Sequence, residues 1–242
     1  MSSKKNFMKK NKTKILAIGA HPDDLDFGCA GTMAKLTRQG NEAVYLIISD
    51  GSKGSQKVKV TSGKLAKIRQ EEQKKAAKAV GVSEVIFLGI KDGEIENTKF
   101  LRKEIVKVIR KTKPDIIFSF DPANFDFDNP YRSHRDHRQA GEAVFDAIYP
   151  ASGNESFFPE LLKQGYKPHQ VKEIWFSAGS KPNKIIDITK TIGDKIKALS
   201  CHKSQITGMK EIEKMIKDWA ARSGKKKGYK YAEAFRVVKF RR

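Results

Sequence analysis

The chain has 242 residues, enough for one domain with a substantial apolar core. Its 49 lysines and arginines against 28 acidic residues leave a net charge of +21, which attracts phosphate backbones without sequence preference; no zinc finger, aromatic stacking motif or nucleic-acid-binding fold accompanies it, so specific nucleic-acid recognition is disfavoured. Cys29 and Cys201 are too few for a disulfide framework, and no apolar run approaches membrane-spanning length, so a soluble, cytoplasmic protein is expected.

Residues 1–13 form a basic leader, expected to be flexible, ahead of a single domain over 14–242. Ile15 to Ala20 reads as a buried strand, Gly31 to Gln39 as a helix and Ala43 to Ser49 as the next strand, followed by a loop from Asp50 to Ser55. Lys64 to Val80 has the spacing of an amphipathic helix closed by Gly81. Val85 to Leu88 predicts a third strand with a turn at Asp92-Gly93, Phe100 to Lys111 a helix, and Asp115 to Phe120 a fourth strand. Gln139 to Tyr149 is helical up to Pro150, and an irregular stretch to Pro168 includes a short helix at Pro159 to Gln164. Strands are expected at Glu173 to Ser177 and Ile185 to Ile188, and helices at Thr189 to His202 and Met209 to Ala221. The run from Ser223 to Gly228 reads as a mobile loop, and Tyr231 to Phe240 as a final helix or edge strand. This alternation predicts an α/β fold, Rossmann-like and three-layered, with a mostly parallel sheet and helices on both faces.

Ligands of such sheets gather beyond the carboxyl ends of the strands. His21-Pro22-Asp23-Asp24 follows the first strand directly, and His134-Arg135-Asp136-His137 lies beyond the fourth. His21 and Asp24 suit Zn²⁺, with Fe²⁺, Mn²⁺ and Co²⁺ also compatible with nitrogen and oxygen donors, while Asp23 between them is left for proton transfer. The competing reading is a plain strand-to-helix turn with Asp24 as its N-cap. A catalytic zinc takes three protein ligands, so one of His134 and His137 completes the set. The other can protonate a leaving group or bind an oxyanion, oriented by Asp136. Arg69 either anchors substrate or pairs with Glu72 on its own helix. Asn124, Asp126, Tyr131 and Arg132, in the loop before the second cluster, are candidates for substrate contacts. His202 either reaches the site or caps a helix end.

The pattern Ala20-His21-Pro22-Asp23-Asp24, Gly28, Gly31-Thr32, Arg69-x-x-Glu72, Asp92-Gly93-Glu94 and His134-x-Asp136-His137, continued in Cys201-His202-Lys203-Ser204-Gln205, resembles the LmbE/PIG-L superfamily of metal-dependent N-deacetylases over residues 14–205. The resemblance implies His21, Asp24 and His137 as metal ligands, Asp23 as general base, and His134 as oxyanion stabiliser or acid assisted by Asp136. It favours His202 at the site. It further implies zinc as cofactor, an N-acetylglucosamine-containing sugar or conjugate as substrate, and a homo-oligomer, trimeric or hexameric. Leu25 stands where an acidic residue often follows the aspartate pair, with Asp26 one place later, and Arg135 replaces a frequent proline. The alternatives are a basic module that keeps the fold and binds nucleic acid or another anionic partner, and an amidase acting on a non-sugar amide.

Overall fold

The computed structural model describes residues 12–54, 59–125, 127–128, 133–179 and 181–240. Strands β1 (Lys14–Gly19), β2 (Glu42–Ser49), β3 (Glu84–Ile90), β4 (Ile116–Phe120), β5 (Glu173–Ser177), β6 (Lys184–Asp187) and β7 (Ala232–Lys239) form one sheet in the order β3-β2-β1-β4-β5-β7-β6. The strands from β3 to β5 in this order run parallel, and β7 is antiparallel to both its neighbours. The chain first builds outward from β1 through β2 to β3, then crosses back so that β4 pairs with the other side of β1. The crevice between the carboxyl ends of β1 and β4 is therefore the topological switch point, where ligands of open α/β sheets bind.

The parallel strands are apolar on both faces because helices cover both. Leu16 and Ile18 of β1 pack with α4 (Lys99–Thr112) and α5 (Arg135–Asp146) through Leu101, Ile105, Ile109, Ala140 and Val144. Ile15 and Ala17 face the other layer, where Met33 of α2 (Ala30–Arg38), Ala76 of α3 (Ser62–Ala79) and Ala198 of α7 (Ile192–Leu199) meet them. A short α1 (Asp24–Gly28) precedes α2, and α6 (Pro159–Lys163) and α8 (Met209–Gly224) complete the set.

Three elements differ from expectation. The last strand, β7, is interior, not an edge: Phe235 is fully buried, with its ring centroid 5.4 Å from Phe118 and 5.6 Å from Trp175, and β6 takes the outer position. The lysine run expected as a mobile loop is ordered. α8 continues to Gly224, a 3₁₀ turn spans Lys225–Lys227, and Gly228 closes it at φ +69°. Helix α5 also begins earlier than its apolar pattern, at Arg135, because His134 acts as its N-cap.

A buried ion pair ties the N-terminus of α2 to β7, the strand next to the sheet edge formed by β6. Glu233 of β7 accepts from Gly31 N at 3.1 Å and Thr32 N at 2.7 Å, and Lys195 of α7 donates to it at 2.6 Å. The carboxylate satisfies helix-end donors that otherwise have no partner.

Gly141 lets α5 lie directly on the end of β4, since a Cβ there would sit 2.9 Å from Phe120 O, a backbone atom that cannot swing away. Gly141→Ala is expected to cost about 1–3 kcal/mol of stability by overpacking, read as a lowered denaturant midpoint with an unchanged m-value.

Candidate active site

The turn after β1 carries four consecutive residues of the site. His21 N donates to Asp24 Oδ2 at 2.6 Å, which folds the carboxylate back toward the imidazole of the same turn. The aspartate oxygens then face two rings, Oδ2 at 3.4 Å from His21 Nδ1 and Oδ1 at 3.1 Å from His137 Nε2. Asp24 is not the N-cap of α1. That position belongs to Asp23, whose side chain makes no capping bond.

The other ring nitrogen of His21 is held by two more carboxylates, Asp136 Oδ2 at 3.1 Å and Asp92 Oδ1 at 3.3 Å. Each is itself fixed from a neighbouring loop, Asp136 by Gly93 N at 2.8 Å and Asp92 by Lys53 N at 3.0 Å. Burial opposes a charge on His21, yet the bonds to Asp136, Asp24 and Asp92 outweigh it and push its pKa up to about 12. The negative field that holds this proton is also the one a divalent cation would meet, and cation binding exchanges with the Nδ1 proton. Burial likewise favours a neutral Asp24, but the nearby His137 and His21 keep its carboxyl well below the usual range.

Donor chemistry and spacing fit a metal. Neighbouring ligands around a four-coordinate zinc with bonds near 2.0–2.1 Å lie about 3.4 Å apart, and the Asp24 carboxylate offers one oxygen near that distance to each ring, Oδ2 to His21 Nδ1 at 3.4 Å and Oδ1 to His137 Nε2 at 3.1 Å. One ring nitrogen from each of His21, His134 and His137 also lies within 4.8 Å of the other two, as do single ligand atoms of His21, Asp92 and Asp136. Within the second of these groups the carboxylates orient the imidazole from its far nitrogen, the arrangement that fixes the tautomer of a ligating histidine. Phe120, at the end of β4, stacks on His137 at 4.2 Å and sets that ring's plane.

His134 stands at the mouth. As N-cap of α5 its Nδ1 accepts from Asp136 N at 3.2 Å, so the neutral ring carries its proton on Nε2. Burial, then the charges of His137 and His21, lower its pKa, and the ring stays neutral near pH 7. The expectation that the Asp136 carboxylate assists His134 is therefore corrected. That carboxylate turns inward beneath His21, and only the backbone N–H of Asp136 orients His134.

Asp23 has φ +100°, a left-handed conformation that costs a non-glycine residue roughly 1–3 kcal/mol. Arg69 of α3 holds it there, donating to Pro22 O at 2.6 Å, to Gly51 O at 2.9 Å and to Asp23 Oδ2 at 3.2 Å. Burial raises the Asp23 carboxyl against the pull of Arg69, with Asp24 reinforcing the rise, and its pKa reaches about 6.

Three residues offered for substrate contact are buried with other partners, two of them beside or behind Asp23. Arg69 is buried and committed to the turn, and it does not pair with Glu72, which instead accepts from Ser204 N at 2.8 Å and Ser204 Oγ at 2.6 Å. His202 is fully buried, 2.8 Å from Asp26 Oδ2, and Asn124 is buried with its amide donating to Ala178 O at 3.2 Å. Asp126, Tyr131 and Arg132 lie outside the described residues. Sequence reasoning assigned no role to Asp92 or Gln73. Gln73 carries a usable signal, since it lies four residues after Arg69 and so shares its helix face.

Fold and site define an enzyme built on an open α/β sheet, whose histidines and carboxylates can hold a metal beside an aspartate of raised pKa. Residues 16–148 match the PIG-L family, described as GlcNAc-PI de-N-acetylase. The chain is 38% identical over 227 residues to diacetylchitobiose deacetylase of Thermococcus kodakarensis, covering 93% of this chain and 83% of that protein. It is 26% identical to a probable N-acetyl-alpha-D-glucosaminyl L-malate deacetylase 2 of Bacillus anthracis, covering 86% and 89%. Among solved structures, N,N'-diacetylchitobiose deacetylase from Pyrococcus horikoshii, in complex with its inhibitor MPG, superposes with a TM-score of 0.87 at 33% identity, covering 95% of this chain and 85% of that one. The chain belongs to the PIG-L family and is an N-deacetylase, a hydrolase of amide carbon–nitrogen bonds. No helix among the described residues is long and apolar enough to cross a membrane.

Arg69→Lys tests the clamp on the turn. A lysine cannot span Pro22 O, Gly51 O and Asp23 together, and each buried acceptor left unpaired costs about 1–3 kcal/mol; thermal unfolding is expected to shift to lower temperature accordingly.

Proposed function

We propose that the protein removes the N-acetyl group from an N-acetylglucosamine-containing sugar or conjugate, with zinc held by His21, Asp24 and His137 and with Asp23 as general base. The observation that carries this reading is the Asp24 carboxylate set between His21 Nδ1 and His137 Nε2, with the raised Asp23 carboxyl next to it in the chain. The deacetylases it resembles are named for diacetylchitobiose and for a glucosaminyl malate, which supports an amino-sugar substrate and favours it over a non-sugar amide.

Bound there, a zinc ion supplies Lewis acidity toward the acetyl carbonyl and makes a nearby water more acidic. The chain's own residues carry the proton. Asp23, with a pKa of about 6, is ionised near neutral pH and close enough to that pH to both take and return a proton. It accepts the proton of the attacking water as the new C–O bond forms, then delivers it to the nitrogen as the C–N bond breaks, leaving acetate and the free amine. His134 donates from Nε2 to the oxygen on which charge develops. Its capping bond fixes the donor tautomer before substrate arrives, so little reorganisation is needed in the reaction. Asp136 and Asp92 hold His21 Nε2, leaving Nδ1 for the metal.

The direct test is acetate release from a panel of N-acetylglucosamine conjugates, N,N'-diacetylchitobiose included, with chelation and zinc add-back. Release that disappears with chelator and returns with zinc is expected; release untouched by complete metal removal would reject the metal reading. Asp23→Ala is expected to keep bound metal and lose about 10²–10⁴-fold in turnover, whereas His137→Ala loses metal, measured by elemental analysis of the purified variants. Equal metal loss in both would reject this division of roles.

A further inference from the structure

Behind the strained turn lies a polar chain that the reaction as described does not use. Gln73 Oε1 accepts from Asp23 N at 2.7 Å, and Gln73 Nε2 donates to Asp26 Oδ2 at 2.9 Å. The same Asp26 oxygen lies 2.8 Å from His202 Nε2. Gln73, Asp26 and His202 are all 0% exposed. None of them can touch substrate, so any effect on the reaction is indirect, and the reacting group they contact through a hydrogen bond is Asp23.

The chain has a fixed sense. The backbone N–H of Asp23 can only donate, so it takes the Gln73 amide oxygen, and the amide NH₂ group is left to donate to Asp26 Oδ2. A lone glutamine could flip its amide and lose the bond to Asp23. His202 in turn holds the carboxylate, and its own loop is anchored through Ser204 to Glu72, the residue preceding Gln73 on α3. Burying a histidine and a carboxylate here is not the least costly way to fill an interior, because packed apolar side chains of similar volume serve stability as well or better. What this arrangement supplies is orientation.

We propose that Gln73, oriented by Asp26 and His202, is a positioning residue that holds the Asp23 backbone in its left-handed conformation and so aims the carboxylate at the reacting water. The inference rests on the reading of Asp23 as general base. Without the acceptor on Asp23 N–H the turn relaxes toward ordinary backbone angles, and the carboxylate moves off line while His21, Asp24 and His137 keep their places.

The test uses the full-length, zinc-loaded protein with N,N'-diacetylchitobiose as probe substrate. Gln73→Met, similar in size but unable to accept or donate, is expected to lower kcat by about 10–100-fold, the scale of a displacement near 1 Å, with KM and metal stoichiometry unchanged. Added to Asp23→Ala, the same substitution is expected to have no further effect, because both act through one group. A second pair avoids reliance on Gln73 alone: His202→Leu should reproduce the loss, and His202→Gln, which retains a donor for Asp26, should restore most of it. Full kcat in Gln73→Met beside an inactive Asp23→Ala overturns the positioning role alone. An equal loss with and without Asp23, or a loss of bound metal in Gln73→Met, also overturns it by making the effect structural. Full turnover in Asp23→Ala itself removes the general-base reading and this proposal with it.

Discussion

The whole site depends on a buried arginine that, together with the Gln73 amide on Asp23 N–H, holds a non-glycine turn in a left-handed conformation. Arg69 reaches from α3 to two backbone carbonyls, Pro22 O and Gly51 O, and to the Asp23 carboxylate. A guanidinium suits this task because its donors are fixed in a plane and can satisfy several acceptors at once. The two carbonyls belong to the loops after β1 and β2, so one side chain sets the separation of two rims of the crevice. The backbone strain at Asp23 persists because the surroundings over-determine it. Gly51, at φ +65°, makes the approach possible, since a Cβ there would lie 2.9 Å from the guanidinium.

Around that clamp, four aspartates divide the work by position. Asp24 faces two imidazoles and is held strongly acidic, as a metal ligand requires. Asp23, one residue earlier, is held near neutrality by burial. Asp92 and Asp136 grip the far nitrogen of His21. Adjacent residues on a single turn thus carry opposite pKa shifts, and pushing neighbouring groups apart in this way is how one site acquires both a permanent ligand and a proton carrier. The chain as a whole carries +21, but the switch-point crevice gathers acids, so the surface charge and the charge at the reaction centre have opposite signs.

The fold was largely legible because its signals are local. Apolar runs of strand length alternate with helical periods, and the order β1-α2-β2-α3-β3-α4-β4 emerged with only end shifts of a few residues. The failures came where local pattern and tertiary placement part. β7 has the composition of a marginal strand, and nothing near it in sequence says that β6 will pair outside it; the burial of Phe235 against Phe118 and Trp175 draws β7 into the sheet beside β5. The lysines at 225–227 read as solvated loop because charge is visible in sequence, whereas the helix that delivers them is held by Ile216 and Ala220 below.

For the site, the sequence by itself determined which residues lie at strand ends and therefore which could meet: the two histidine clusters, the aspartate pair between strand and helix, and the turn at Asp92-Gly93. Chemistry at a strand's carboxyl end is fixed by topology, and topology follows from element order. Only the tertiary structure decided the partners within the cluster. The Asp136 carboxylate serves His21 and not His134, Arg69 serves Asp23 and not Glu72, and His202 serves Asp26 and not the mouth. Each sequence expectation chose a near neighbour or an exposed role, but side-chain direction depends on how helices lie over the sheet. Carboxylates and imidazoles separated by a hundred residues or more, such as His21 from Asp136 and Asp26 from His202, become hydrogen-bonded only once the sheet has closed between them.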